Sequence, residues 1–353
     1  MTPNIRRTLC LLLISTALAA CGARAPGPEA TASPTMTKSF DLVDLTEFRL
    51  FFTGGGTAAP RHMSVAEAAD VLKDYDVIFI GEAHRHPGNH IAQMALFRAI
   101  QERAPNVSLS LEQFERDVQH VVDDFMAGKI GEEPFRKASR AWDNYPGSYR
   151  PLVEYAKERG LPVIAAEAPT MVVRCVGQQG PEFLDKMKPE NRGWAAAKLH
   201  LQDGPYKDKY MRFLIGDSGH GENAAKDNAP SAAQLRSFAA QVTRDDTMAE
   251  SIYRHLQKNP GRKVVHLNGS FHSESFLGTA ERLQLRDPKL KIAVVNPIQI
   301  KPGAKAEVSA ADAKTGTFVL LIREAPKGYV SAEEERAAVM EQMKFRGASK
   351  CEL

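Results

Sequence analysis

Hydrophobic residues in this chain gather into short, nearly unbroken runs that stop at a polar residue. Val77-Ile78-Phe79-Ile80 leads into Gly81-Glu82-Ala83-His84, and Val107–Leu111 leads into Glu112. Val163–Ala166 leads into Glu167, and Val264–Gly269 into Ser270-Phe271-His272. Two further runs cover 292–296 and 317–322. The first five are continuous rather than alternating, the pattern of strands covered on both faces. Between most of them apolar residues recur at helical spacing, over about 89–104, 115–127, 149–159, 234–257 and 274–284. This alternation predicts an α/β fold, a mainly parallel central sheet flanked by helices. Glycine and proline break the rhythm from about 170 to 230. There the sequence predicts helices near 181–188 and 191–201, then a mobile segment through Asp217–Glu222. Together these would form a smaller helical subdomain or lid.

In an open parallel sheet, ligands bind outside the carboxyl ends of the strands. Glu82, His84, Glu112, Glu167 and His272 are therefore expected in one crevice, far apart as they are in sequence. Clusters of His and Glu suit a divalent metal such as zinc or manganese, or acid–base work near neutral pH. On this reading Glu82, His84, Glu112 and His272 bind the metal or activate water, and Asp245 joins them. No His-Glu-x-x-His or Cys-x-x-Cys spacing supports a particular metal site. His86 and His90 either belong to the cluster or are exposed at a helix start. Asp245 and Asp246 continue the buried face set by Phe238, Val242, Ala249 and Ile252. Either they are buried and paired, or the helix breaks and Thr247–Glu250 caps a second one. The aromatic run Trp142–Pro151 places Tyr145 and Tyr149 near Arg140 and Arg150. Tyrosines beside arginines can ligate ferric haem and pair its propionates, or simply pack a loop. His266, inside a strand, reads as a core residue.

The ends add a compartment. Arg6 and Arg7 precede an apolar stretch, Leu11–Ala20, that is too short to span a bilayer. It closes on Leu18-Ala19-Ala20-Cys21, which resembles the lipobox of a bacterial lipoprotein. The resemblance implies a signal peptide over 1–20, an acylated Cys21 and, from Gly22, an outer-membrane destination facing the periplasm. Residues 21–38 are rich in Ala, Pro, Ser, Thr and Gly and read as a flexible tether. Residues 39–353 then form a single domain. With 46 basic and 43 acidic residues the chain is nearly balanced, which speaks against nucleic acid as a partner. Cys175 and Cys351 are left over in an oxidising compartment and are expected to form a disulfide.

Taken together, several motifs resemble the ChaN-like haem-binding lipoproteins. These belong to the superfamily that also holds Tiki-type metalloproteases and erythromycin esterases. The resemblance runs through Val77–His84, Leu109–Phe114, Trp142, Tyr145, Tyr149 and Pro151, then Pro162–Ala166, Gln241–Ala249 and Asn268–His272. It departs at Glu167, where an asparagine is expected, and at Ser270-Phe271, where a smaller pair is expected. The resemblance implies an α/β domain with a helical subdomain, and haem held by a tyrosine at the interface of a homodimer. Tyr149, Tyr145 and Tyr210 are the candidate ligands, with Arg150 beside the haem. The implied role is uptake or handling of haem iron, with the outer-membrane uptake machinery as partner and acylated Cys21 in the bilayer. The alternative is a metal-dependent hydrolase, a protease or an esterase, built on the Glu/His cluster.

Overall fold

The computed structural model describes residues 42–214, 229–347 and 351, which belong to the compact unit Ser39–Leu353. The leader, Cys21, the tether and Asp217–Glu222 lie outside the described residues. Strands β1 (Phe48–Phe52) and β2 (Arg61–Met63) come first, then α1 (Val65–Leu72), β3 (Val77–Glu82), α2 (Pro87–Arg103) and β4 (Val107–Glu115). Four helices follow: α3 (Gln119–Met126), α4 (Glu132–Ala138), α5 (Tyr145–Ser148) and α6 (Arg150–Glu158). Next come β5 (Val163–Glu167), α7 (Thr170–Gln179), α8 (Pro205–Leu214) and the long α9 (Ala232–Lys258). The chain continues through β6 (Lys263–Gly269), α10 (Thr279–Arg286), β7 (Ile292–Ile300), β8 (Phe318–Arg323) and α11 (Ala332–Gly347).

The eight strands form one sheet in the order β2-β1-β8-β7-β3-β6-β4-β5. Strands β3 to β8 are parallel, as the continuous apolar runs predict, while β1 and β2 add an antiparallel edge that the sequence pattern did not reveal. Successive residues of a strand face opposite sides, so each run must be apolar throughout to serve two layers. Ile78 and Ile80 of β3 pack with Leu72, Leu96 and Phe97 on one side. Val77 and Phe79 pack with Met248, Ile252 and Leu283 on the other.

Helix α9 is continuous, so the alternative of a break before Thr247 does not hold. Ser231 accepts from the Gln234 amide and Gln234 returns a bond to the Ser231 amide, a reciprocal cap that starts the helix. Its register carries Asp245 and Asp246 into the interior, both fully buried. The helix expected over 191–201 is replaced by a single 3-10 turn, Arg192–Trp194, and an irregular segment. The reason is competition for the backbone donors. The Ala196, Ala197 and His200 amides donate to Thr247, Glu250 and Asp246 of α9 rather than to carbonyls of their own helix. The 181–188 expectation becomes a 3-10 segment, Pro181–Lys186, and α7 and α8 supply the helical part of the insertion. Cys175 of α7 is disulfide-bonded to Cys351, with the Cα atoms 5.6 Å apart.

Gly81 marks the place where β3 is most tightly enclosed. A Cβ there would lie 3.0 Å from Pro297 Cδ and 3.2 Å from Ser270 Cα. Gly81→Ala should therefore destabilise the domain by about 1–3 kcal/mol through overpacking. Urea denaturation checks this, and a midpoint equal to that of the parent would refute the close packing.

Candidate functional site

The sheet order makes β3, β6, β4 and β5 consecutive neighbours, and the polar residues at their carboxyl ends meet beneath α9. Glu82, the last residue of β3, is buried, and its carboxylate is the hub of the first cluster. Its Oε1 lies 2.7 Å from His84 Nδ1 and accepts from the Tyr149 hydroxyl at 2.6 Å. Its Oε2 accepts from Gln93 Nε2 at 3.0 Å, and His90 Nδ1 stands 3.8 Å away. Burial alone would raise the Glu82 pKa. The His84 hydrogen bond and the charges of His90 and His84, with the Tyr149 hydrogen bond, outweigh it and hold the group below the usual range. His84 is raised in turn, chiefly by its bond to Glu82. When His84 is neutral, an ionised Glu82 favours the tautomer with the proton on Nδ1 and the lone pair on Nε2.

Glu112 does not stand beyond its strand as expected. It lies within β4, just past Leu111, where the pairing with β6 ends and the register with β5 becomes irregular. That irregularity aims the side chain into the crevice. Its Oε2 accepts from the Gly269 amide at 2.5 Å and its Oε1 from Arg244 Nη2 at 2.9 Å. The same guanidinium reaches Glu167 through Nε at 2.8 Å and Nη2 at 2.7 Å. Burial would lower the Arg244 pKa, but Glu167 and Glu112 outweigh it. Glu167 itself is pushed up to about 7 by burial, despite Arg244. The sequence offered no periodic signal for Arg244, because it precedes the two aspartates on a helix and its partners come from β4 and β5.

Asp245 is the hub of the second cluster. Its Oδ1 lies 2.8 Å from His272 Nδ1 and accepts from Thr279 Oγ1 at 2.9 Å, while Tyr206 donates to its Oδ2. Burial works against both charges, yet the pairing lowers Asp245 and raises His272. The His272 Nε2 points toward Glu112 Oε1, 3.8 Å away. Near the other oxygen of Glu112, His84 Nε2 occupies the space left by the missing side chain of Gly269. A Cβ on that glycine would lie 2.8 Å from His84 Nε2 and 3.6 Å from Glu112 Oε2. Two imidazoles, each oriented at Nδ1 by its own carboxylate, thus flank Glu112. Such a pair is equipped to accept a proton at one Nε2 and deliver one from the other. Glu82, His84, Glu112, Glu167 and His272 are brought together, as the strand-end pattern predicts, and Asp245 of α9 joins them through His272.

Other expectations require correction. His86 and His90 are buried rather than exposed. His86 caps α2 by accepting from the Asn89 amide, with Nε2 2.6 Å from the Arg323 carbonyl oxygen, and His90 pairs with Gln93. The divalent-metal set Glu82, His84, Glu112 and His272 converges without forming a cation site. Both Glu112 oxygens are engaged, one by the Gly269 amide and the other by the Arg244 guanidinium. Among the described residues no group of three or more His, Cys, Asp or Glu is arranged to hold a metal ion. The haem-binding expectation for the Trp142–Pro151 run also changes. Tyr145 and Tyr149 are fully enclosed, and burial raises both phenols, that of Tyr149 further through Glu82. Tyr149 donates its phenolic proton to Glu82, and the Tyr145 ring packs against Phe114 and Phe135. Arg150 bonds Glu132 through Nε, and Arg140 bonds Glu115 and Asp117. Tyr210 is nearly enclosed, its hydroxyl bonds to Ser237, and it adjoins Phe213, which is 64% exposed.

The raised Glu167 makes the site's energetics pH-dependent. The folded chain keeps this proton up to about pH 7, whereas the ordinary carboxylate value is 4.5. Over that window the folded state binds the extra proton, so this group's contribution to stability declines as pH rises. Glu167→Gln should flatten that part of the stability profile in denaturant titrations across the window. A slope identical to that of the parent would contradict the assignment.

Comparison with known proteins agrees with this architecture. Residues 68–283, which include every residue of both clusters, match a family model described as haem-binding uptake, Tiki superfamily, ChaN. The solved structure of ChaN of Campylobacter jejuni, described as binding heme cofacially, aligns over 78% of this chain and 98% of its own, at 16% identity and a TM-score of 0.55. A variant of the erythromycin esterase EreC in its open conformation aligns over 83% of this chain and 87% of its own, at 13% identity and a TM-score of 0.43. Among curated proteins, the chloroplastic Protein RETICULATA-RELATED 5 of Arabidopsis thaliana is 22% identical over 237 residues, 62% of this chain. The chain spans only 30% of that protein's length. With a parallel sheet, converging strand-end acids and histidines, and a family match across more than half its residues, the chain belongs to the ChaN family of the Tiki superfamily.

Proposed function

We propose that this chain is a lipid-anchored envelope protein that binds haem and serves in its uptake or handling. Membership of a family described as haem-binding uptake carries the reading, and the ChaN structure of the same fold is described as binding heme. The lipobox-like Leu18–Cys21 supports an anchor through Cys21 in the outer membrane, facing the periplasm, where the uptake machinery and a second copy of the chain would be its partners. Of the three candidate tyrosines, Tyr210 is the one beside an exposed aromatic surface; burial raises its phenol too, so ligation would have to draw the hydroxyl away from Ser237. Tyr210 would supply a phenolate oxygen to ferric iron, while the adjoining Phe213 and Phe271 supply apolar surface for a porphyrin face. Titration with ferric haem should give a saturable Soret change. Tyr210→Phe should remove most of it, and Tyr145→Phe or Tyr149→Phe should leave it in place. Absence of a saturable change would sink haem binding, and an unaltered change in Tyr210→Phe would sink this ligand.

A second reading, a hydrolase working by acid–base chemistry, is favoured by the two carboxylate–imidazole pairs around Glu112. A neutral His84 or His272 would take a proton from water at Nε2, and the other, protonated, would donate to the leaving group. Arg244, partly exposed and with no bond to Nη1 among the described residues, would face the developing oxyanion. Activity on simple carboxylic esters should follow a bell-shaped pH profile. Replacing the orienting carboxylate in Glu82→Gln or Asp245→Asn should cost on the order of a hundredfold in rate, by analogy with general acid–base contributions. Equal rates in parent and variants would remove this reading.

A further inference from the structure

Strand β5 ends the sheet, and its outer edge is closed by a side chain in place of a strand. In the β4–β5 pairing Pro162 and its alternate neighbours face β4, since the Leu109 amide donates to the Pro162 carbonyl. Val163 and Ala165 therefore turn their backbone groups outward. Gln119 of α3 meets both: its Nε2 donates to the Val163 carbonyl at 2.9 Å, and its Oε1 accepts from the Ala165 amide at 2.7 Å. A primary amide bonded in this way reproduces the donor and acceptor of one peptide unit. It is a stand-in for a neighbouring strand.

Beside this edge lies a cavity of about 610 Å³ whose lining includes none of Glu82, His84, Asp245 and His272. Its floor includes Met126, Leu161, Pro162 and Ile164, and its rim includes Lys157, Arg254 and Lys258. The volume is that of a ligand pocket rather than a packing defect. Lys157 rests over the Phe125 ring at 3.7 Å without a carboxylate partner in that contact. Glu250 is shared between Arg116 at 3.1 Å and Arg254 at 2.9 Å, so it offsets only one of the two guanidiniums. Asp123, which accepts from Gln119, is the acidic side chain on the lining. Positive charge is in excess along the edge.

We propose that the β5 edge and this cavity receive an extended acidic segment of a partner protein, which adds to the sheet as a further strand. The incoming backbone takes the Val163 carbonyl and the Ala165 amide from Gln119, exchanging like bonds for like. Its alternate side chains lie over the apolar floor, and its carboxylates face Lys157, Arg254 and Lys258. The occupant is a peptide because the displaced group is a peptide mimic, and it is acidic because the rim is basic. Exposed edges in stable folds are otherwise blunted by charge or cover, and Gln119 supplies such a cover until it is exchanged.

The test measures anisotropy of a short labelled peptide alternating aspartate with valine, added to the full purified chain. Saturable binding is expected, about fivefold or more tighter than for the lysine–valine counterpart, and weakening as salt is raised. Gln119→Ala should tighten it by about tenfold, because the free edge then carries unsatisfied backbone groups. The combined Arg254→Glu and Lys258→Glu variant should weaken it by a similar factor. N-methylation of alternate peptide amides should abolish binding whatever the fold of the protein variants. Equal binding of the acidic and basic peptides overturns the proposal, as does indifference to N-methylation. Full competition by inorganic phosphate also overturns it, since that outcome describes a simple anion site.

Discussion

One guanidinium holds the crevice together. Arg244 lies between Glu112 and Glu167, two carboxylates that end up buried side by side because β4 and β5 are adjacent strands. Burial and the nearness of Glu112 raise Glu167 even beside the cation, and without Arg244 the pair would hold its proton more firmly still. With it, Glu112 is fixed in the one orientation that also accepts the Gly269 amide. The position of β6 relative to β4 at their carboxyl ends, and hence of His272, follows from that bond. Helix α9 carries the rest of the charge on the same turn: Asp245 faces His272, and Asp246 faces His200, Arg282 and Arg286. Buried charges along α9 thus determine where the insertion loop, α10 and the site histidines sit.

The two clusters share a design. In each, a buried carboxylate binds Nδ1 of an imidazole and a tyrosine hydroxyl: Glu82 with His84 and Tyr149, Asp245 with His272 and Tyr206. The tyrosines act here as hydrogen-bond donors that keep the carboxylates ionised. This role opposes ligation by Tyr149, since a phenolate next to Glu82 would set two negative charges against each other. It also explains why aromatic residues before β5 accompany a site built on β3. Trp142 and Tyr149 form an edge-to-face wall around His84 and His90.

The two kinds of chemistry the fold can offer occupy different places. The Glu82–His84 and Asp245–His272 pairs lie in the crevice at the strand ends, whereas Tyr210, Phe213 and Phe271 form an aromatic surface on α8 and the turn after β6. They touch through Tyr206, which lies on α8 and donates to Asp245. A change in the position of α8 is therefore felt by His272. The β5 edge stands apart from both, and its exposed cations leave it suited to protein contact.

The sequence by itself determined the parallel strands, the helices that cover them and the carboxyl-end residues that converge. These are local facts: a strand buried on both faces must be apolar at every position, and a residue that ends such a run must face the crevice. The periodicity of α9 allowed Asp245 inside but equally allowed a break before Thr247, and the continuous helix decided between them. What only the tertiary structure decided were the partners. Arg244 joins Glu112 to Glu167 because strands distant in sequence become neighbours, and no local pattern encodes that order. In the sequence Tyr145 and Tyr149 could serve haem or simply pack a loop, and the folded chain encloses both and pairs the nearby arginines with Glu132, Glu115 and Asp117. The 191–201 segment failed to become a helix for the same reason, since its backbone donors found stronger acceptors on α9 than within its own turn. Residue type and spacing record which groups need a partner, and only the folded chain records which partner each one meets.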